Sequence, residues 1–158
     1  MSEGTVTLEE LENSLPNGLH DAEVRNFAVD YMGRTLTLDL SLWVGDMGDP
    51  PELREAYRTG RLEFSGLQFL VVEPPDPKYR FQDSGPLTID GCDMSKNLDT
   101  ALLQSLPCDA FVRSLWVNEW NAFMHIAAKK VDILWTSEKS LHRTQREHFR
   151  PGEKIDLT

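Results

Sequence analysis

Three residues near the start of the chain, His20, Asp21 and Glu23, are of the types that bind a metal ion or transfer a proton. They lie in LPNGLHDAEV, residues 15–24, where a turn precedes a predicted strand. In an extended strand Asp21 and Glu23 point to one side and His20 points to the other. The three side chains meet at one ion only if the backbone turns at His20. We therefore favour a structural role for this motif at the rim of a sheet, and a binding role for His20 and Asp21 is the alternative.

The second candidate is His125, in the predicted strand FMHIA. Strand alternation places it on the same face as Phe123 and Ala127, so the imidazole is expected to be at least half buried. A buried histidine needs a partner for each ring nitrogen that it uses. We expect a core histidine with satisfied nitrogens. The alternative is a ligand pocket that His125 forms with one or two of the tryptophans Trp116, Trp120 and Trp135.

Three acids, Asp46, Asp49 and Glu52, lie in a loop rich in glycine and proline. Carboxylate oxygens are calcium ligands, but this loop lacks the alternating ligand spacing and the closing glutamate of an EF-hand. A solvated acidic loop is therefore the expectation. The same exposure would let the loop contact a basic partner.

The local signatures of common enzyme classes are absent from the sequence. It contains no G-x-S-x-G elbow, no glycine-rich phosphate loop, no H-E-x-x-H helix and no cysteine with a nearby histidine. We predict no catalytic residue, no metal and no cofactor. Sites built from carboxylates have no local signature, so an enzyme that uses carboxylates and histidine stays open as an alternative.

Charge and hydropathy narrow the class of partner. The 158 residues include 26 acids against 16 lysines and arginines, which gives a net charge of −10. Phosphate binding needs a basic face, so the charge argues against nucleic acid. No apolar run approaches the about 20 residues of a membrane helix, and the acidic first residues lack the pattern of a secretory signal. We expect a cytoplasmic protein whose acidic surface serves solubility or attracts a basic protein.

Hydrophobic periodicity predicts a mainly β protein of the α+β class. Thr7 and Glu10 match a capping box, which predicts a helix over residues 8–14, and a second helix is predicted over residues 96–105. Apolar alternation and β-branched residues predict strands over residues 22–31, 35–43, 61–72, 111–117, 122–127 and 131–135. The first two strands are predicted to pair as a β-hairpin. A helical turn, started by the two prolines before it, is predicted over residues 52–57.

Phase changes in the alternation predict bulges at Arg25–Asn26 and at Ser65–Gly66. Bulges bend a sheet, so the predicted architecture is a curled antiparallel sheet, barrel- or sandwich-like, with two short helices. An open sheet with a helix across one face is the alternative. We predict a turn at Lys129–Lys130 between the last two strands. Residues 1–135 are predicted to form a single globular domain, and residues 136–158 a polar tail that belongs to it or stands apart.

The order of LPNGLHDAEV, a hairpin and YRTGRLEFSGLQFL resembles that of small uncharacterised bacterial proteins. Some of these are similar to immunity proteins that neutralise polymorphic toxins. The resemblance covers residues 15–72 and depends on His20–Asp21 and Gly60–Leu70. It implies a fold and the role of an inhibitor, with no catalytic residues.

Three functions follow from the sequence. The leading prediction is a non-catalytic binding module whose acidic surface meets a basic protein, as an inhibitor or immunity-type protein would. The first alternative is a small-molecule-binding barrel, and the second is an enzyme that uses carboxylates and histidine. The candidate binding residues are His20, Asp21, Asp46, Asp49, Glu52, Trp120 and His125.

Overall fold

A computed structural model of the chain describes residues 6–93, 98–138 and 140–141. The described helices are short and lie between strands. They are α1 (Leu8–Ser14), α2 (Pro51–Arg54), α3 (Thr100–Ser105) and a 3₁₀ turn at Asn118–Trp120. Helix α1 begins as predicted, because the Thr7 hydroxyl accepts from the Glu10 amide and the Glu10 carboxylate accepts from the Thr7 amide.

The described strands form one antiparallel sheet. They are β1 (Ala22–Asp30), β2 (Thr35–Trp43), β3 (Ala56–Ser65), β4 (Phe69–Val72), β5 (Leu87–Asp93), β6 (Phe111–Val117), β7 (Ala122–Ala128), β8 (Lys130–Trp135) and β9 (Ser140–Leu141). The order is β4-β7-β6-β5-β1-β2-β3-β8, with β9 also paired to β3. The predicted fold class, a curled antiparallel sheet with short helices, is confirmed, and the strand order is an open path.

The predicted hairpin is formed by β1 and β2. Val24 pairs with Leu40 and Asn26 with Asp39, so Arg25 is the extra residue of a bulge at the predicted place. The alternating leucines of β2 all point into the core, since Leu36, Leu38, Leu40 and Leu42 are buried. The period of two in this strand therefore identified the buried face correctly.

Two long strands bend and give the sheet its curl. After β3, Gly66 adopts a positive φ of 61° and the chain continues into β4, which pairs with β7. After β7, the single residue Lys129 leads into β8, which pairs with β3. The end strands β4 and β8 thus continue inner strands, and the ends of the sheet are brought round towards each other. The predicted turn at Lys129–Lys130 is wrong as a hairpin turn, because Lys129 is only a bend, and β7 and β8 pair with β4 and β3 instead of with each other.

The hydrophobic core fills the concave side of the sheet, and α1 lies across it. Leu8 and Leu11 of α1 are buried in the same cluster as the strand residues. The fold therefore combines the curled sheet with the helix across one face that was the stated alternative. Its largest fully buried side chains include Leu19, Leu62, Phe64, Leu67, Ile89, Leu115 and Met124.

Several elements differ from the predictions. Strand β5 was not predicted, because polar residues and Gly91 interrupt its apolar alternation. Helix α2 corresponds to the helical turn predicted over residues 52–57, but it ends at Arg54 because β3 begins at Ala56. Helix α3 begins after Asp99, whose carboxylate accepts from the Ala101 amide, while residues 96 and 97 of the predicted helix lie outside the described residues. Ser140–Leu141 of the predicted tail pair with β3, and residue 139 and residues 142–158 lie outside the described ones.

Candidate functional site

The backbone turns sharply where His20 and Asp21 meet the start of β1. Asp21 has a positive φ of 59°, a left-handed conformation that is uncommon for a residue other than glycine. Its amide donates to the Ile89 carbonyl of β5. In an extended strand the side chains of His20 and Asp21 would point to opposite sides. Because the backbone turns here, they point to the same side.

The imidazole of His20 is fixed by the neighbouring strand β5. His20 Nδ1 lies 2.8 Å from the carbonyl oxygen of Asp90, and a carbonyl only accepts, so Nδ1 carries the proton of this bond. His20 Nε2 then lies 3.6 Å from Asp21 Oδ2, and Nδ1 lies 4.0 Å from Asp90 Oδ1. The result is a cluster of one imidazole and two carboxylates, in which one ligand atom from each residue lies within 4.8 Å of the others. We call these three residues the His20 cluster.

Glu23 does not join the His20 cluster. Its side chain is buried, and Glu23 Oε2 lies 3.5 Å from the Arg25 guanidinium. The sequence motif His20-Asp21-x-Glu23 is thus divided, and the third acid of the cluster is Asp90. Asp90 was missed because it is 70 residues away in the chain, on a strand that was not predicted.

The predicted acidic loop is ordered by its own backbone. Asp46 Oδ1 accepts from the Gly48 amide at 2.8 Å, and the Asp49 carbonyl accepts from Arg54 Nε at 2.8 Å. Asp46 and Glu52 are exposed, and Asp49 is half-buried. Within the described part of the chain these three acids do not converge as a metal-ligand group does, since that geometry is found at the His20 cluster.

The acidic loop and the His20 cluster lie at the same end of the molecule. Asn17, in the turn before His20, donates its side-chain amide to the carbonyls of Trp43 and Gly45 at 3.1 and 2.7 Å. These two residues lead directly into the acidic loop, so the bonds hold the loop beside the turn. We call the combined set the acidic end: Asp21, Asp46, Asp49, Glu52, Glu55 and Asp90.

The pKa of the Tyr57 phenol reflects the negative charge at the acidic end. Burial raises the pKa of Tyr57 above its ordinary value, and the hydrogen-bonded carboxylate of Glu55 raises it further. The negative charges of Asp21 and Glu23 act on the same hydroxyl and in the same direction. Because such effects weaken with distance, carboxylates from two separate segments of the chain lie near one phenol.

The second candidate residue, His125, is fully buried and bonded through both nitrogens, as expected of a satisfied core histidine. Nε2 lies 2.9 Å from Glu73 Oε2, and Nδ1 lies 2.6 Å from Ser114 Oγ. The carboxylate accepts from Nε2, so in the neutral ring Nδ1 accepts from the serine hydroxyl. Glu73 Oε1 also accepts from the Phe123 amide at 3.0 Å.

Serine, histidine and glutamate in a row have the order of a hydrolase triad, but Ser114 has no exposed surface. A nucleophile must reach a substrate carbonyl, and a fully enclosed hydroxyl does not. Ser114 and Glu73 were missed by sequence reasoning because only the pairing of β7 with β6 and with β4 brings them to His125. The arrangement can hold three strands together, and that is what its burial supports.

Trp120, the last predicted binding residue, lies in the 3₁₀ turn between β6 and β7. Its ring packs against the hydrophobic core. His125 instead lies on the face opposite the core residues Met124 and Ile126, beside Phe123. Trp116 also contacts Phe123, edge to face at 4.8 Å between ring centres.

Among the described helices the longest, α1, has seven residues, and none is long and apolar enough to cross a membrane. Comparisons with family models, with curated proteins and with solved structures found no match to this chain.

Proposed function

We propose that the protein is a non-catalytic binding module whose acidic end docks a basic protein partner, in the manner of an inhibitor or immunity-type protein. The observation that carries this proposal is the gathering of carboxylates from the His20 turn, the acidic loop and β5 at one end of a rigid sheet. The resemblance of residues 15–72 to proteins similar to toxin-neutralising immunity proteins agrees with it.

The first support is the exposure of these acids. Asp21, Asp46, Glu52 and Asp90 are all exposed, so their charges are available to a partner. The nearest described cation on the loop, Arg54, is bonded to a backbone carbonyl instead of a carboxylate. The end therefore presents negative charge that attracts a complementary surface.

The second support is the stiffness of the platform. The acidic loop is tied at both sides, by Asn17 to Gly45 and by the Trp43 indole to the Arg54 carbonyl at 2.7 Å. Gly45 also donates its amide to Ala56 of β3. A surface that is already ordered loses little conformational entropy on binding, which favours affinity.

The third support is what the buried polar groups do. In the Ser114–His125–Glu73 row the serine hydroxyl and the imidazole are fully buried, so the row supports the packing of strands and presents no nucleophile to a substrate. The negative charge at the acidic end supports binding without any catalytic group, because long-range attraction raises the rate of encounter with a basic protein.

The test compares two variants with the same change in net charge. In the first, the acidic loop is neutralised by Asp46→Asn, Asp49→Asn and Glu52→Gln, which preserve the oxygen that bonds Gly48. In the second, the exposed acids Glu9, Glu63 and Asp132, which lie outside the acidic end, are changed to amides. Each variant and the wild type are used to capture partners from the native host, and association is then measured from low to high salt.

We expect association to be fast at low salt and to slow as the screening length falls to about 8 Å at physiological salt. The loop variant should associate more slowly with the captured partner, whereas the control variant should match the wild type. Equal rates for both variants, or capture of no basic protein by the wild type, would refute the proposal.

A further inference from the structure

We propose that the His20 cluster is a binding site for a divalent transition-metal ion of the zinc type. The ligands are His20 Nε2 and the carboxylates of Asp21 and Asp90. The inference concerns the isolated chain and does not require the proposed basic partner.

The first argument is the orientation of the imidazole. A histidine that binds a metal through one nitrogen usually donates its other N–H to a carbonyl or carboxylate, which fixes the ring and the tautomer. His20 does this with Nδ1, which donates to the Asp90 carbonyl at 2.8 Å. Nε2 of the neutral ring is then left with its lone pair, which is the form that ligates metal.

The second argument is the position of that lone pair. Asp21 Oδ2 lies 3.6 Å from Nε2, so two acceptors face one another at a distance where they repel. A cation between them converts this repulsion into two favourable contacts. Zinc bonds of about 2.0–2.2 Å at a tetrahedral angle place neighbouring ligand atoms roughly 3.3–3.6 Å apart, so the spacing is already close to that of a bound pair.

The third ligand comes from the adjacent strand. One oxygen of Asp90 lies within 4.8 Å of the ligand atoms of His20 and Asp21, and the side chains are about half exposed, at 54%, 52% and 51% respectively. Small rotations of exposed side chains close this gap. The open side leaves coordination positions for water, so the set of three protein ligands suits a four-coordinate ion.

A buried carboxylate lines the cleft behind the cluster. The cleft, of about 440 Å³, is bordered by His20, Asp90, Glu12 and Cys92. Glu12 is only 9% exposed, and its carboxylate accepts hydrogen bonds from the Arg113 guanidinium and from the Cys92 thiol. Arg113, which forms an ion pair with Glu12, also borders the cleft, so the Glu12 charge is balanced there and the three ligands of the site are His20, Asp21 and Asp90 alone.

The chemistry of the donors selects the kind of ion. Imidazole with carboxylates suits zinc and its neighbours, whereas calcium and magnesium prefer oxygen ligands alone. Cys92 borders the cleft but is not part of the group of converging ligand atoms, which consists of His20, Asp21 and Asp90.

The experiment is calorimetric titration of the metal-free, full-length protein with zinc chloride, with magnesium chloride as the second titrant. We expect one zinc ion to bind in a step that magnesium does not reproduce. His20→Ala and Asp90→Asn should each weaken this step by about tenfold or more. Glu63→Gln, a change of an exposed acid on β3 that lies outside the acidic end, should leave it unchanged.

A second readout separates loss of the site from loss of the fold. Thermal unfolding without metal should give equal midpoints for wild type and both cluster variants, and zinc should raise the midpoint of the wild type alone. The imidazole resonances of His20 should shift or broaden in step with the calorimetric titration. A zinc isotherm that His20→Ala leaves unchanged, or the absence of any zinc binding, would overturn the proposal.

Discussion

Glu12 of helix α1 and Arg113 of strand β6 lie 101 residues apart in the chain and form an ion pair with 2.6 Å between Glu12 Oε2 and Arg113 Nη2. Both side chains are largely buried, at 9% and 14% exposure. Arg113 shares its face of the sheet with the core residue Leu115, so the pair fastens the helix across the concave side.

The ion pair gives a first prediction. Arg113→Met should destabilise the protein by about 3–5 kcal/mol, because removal of one partner leaves the Glu12 carboxylate buried without its cation. The double variant Glu12→Leu with Arg113→Met should recover most of that loss, since no buried charge remains. Urea unfolding measures both, with Glu9→Gln on the exposed side of the helix as control. An Arg113→Met effect as small as the control's would contradict the structural role of the pair.

The buried serine gives a second prediction. Ser114→Ala should cost about 1–3 kcal/mol, because His125 Nδ1 then loses its hydrogen-bond partner inside the protein. Ser84→Ala, at an exposed position, should stay within about 0.5 kcal/mol of wild type. Equilibrium unfolding of the two variants makes the comparison, and equal stabilities would show that the buried bond contributes nothing.

The fold was predictable where local patterns determine structure. The capping box of Thr7 and Glu10 gave the start of α1, and the alternating leucines gave β2 and its buried face. The slip in phase at Arg25 gave the position of a bulge. Each of these signals lies within a few residues, so no knowledge of distant contacts was needed.

The remaining features depend on pairings between distant segments. β5 carries little apolar alternation and exists because β1 and β6 offer it hydrogen bonds on both edges. The absence of a turn at Lys129–Lys130 follows from β8 continuing onto β3, a partner some 70 residues earlier in sequence. Propensity favoured a turn there, and the long-range ladder overrode it.

The same distinction holds for the candidate sites. The sequence identified His20 and Asp21 as neighbours and predicted the burial of His125. It did not reveal Asp90, Glu73 or Ser114, each of which reaches its histidine from another strand. Only the register of the sheet determines which side chains lie opposite one another.

The two faces of β2 give a third prediction. Leu38→Asp should prevent stable folding, because Leu38 has no exposed surface. Burying an isolated charge there costs roughly several kcal/mol of folding free energy. Asp39 is the next residue of β2, and its side chain points to the opposite face, where it pairs with Arg61. Asp39→Asn should lower the stability by at most about 1 kcal/mol, as is usual for an ion pair near the surface. Circular dichroism and thermal unfolding distinguish the two, and similar stabilities would mean that the faces are assigned wrongly.

Asp39 also gives a prediction for pH. Arg61 Nε donates to Asp39 Oδ1 at 2.7 Å, and this bond holds the pKa of Asp39 below its ordinary value. A depressed pKa in the folded state adds stability above the ordinary carboxyl value of about 3.9, and that contribution is lost as the pH falls towards the lower folded value. The stability difference between wild type and Asp39→Asn should therefore shrink between pH 6 and pH 3, roughly, in urea titrations. A difference that stays constant over this range would contradict the assignment.

A final prediction concerns the glycine that positions the acidic loop. A Cβ at Gly45 would lie 1.8 Å from the Arg54 carbonyl oxygen, a backbone atom that cannot move aside without displacing α2. Gly91 of β5 is the matched control, because a Cβ there meets no atom within 4 Å. We therefore expect Gly45→Ala to cost about 1–3 kcal/mol or more through overpacking, and Gly91→Ala to be neutral or slightly stabilising.

Because Gly45 also accepts the bond from Asn17, its substitution should shift the amide resonances of the acidic loop, whereas Gly91→Ala should leave them in place. Equal stabilities with an unchanged loop spectrum would show that the close approach of Gly45 to Arg54 does not hold the loop.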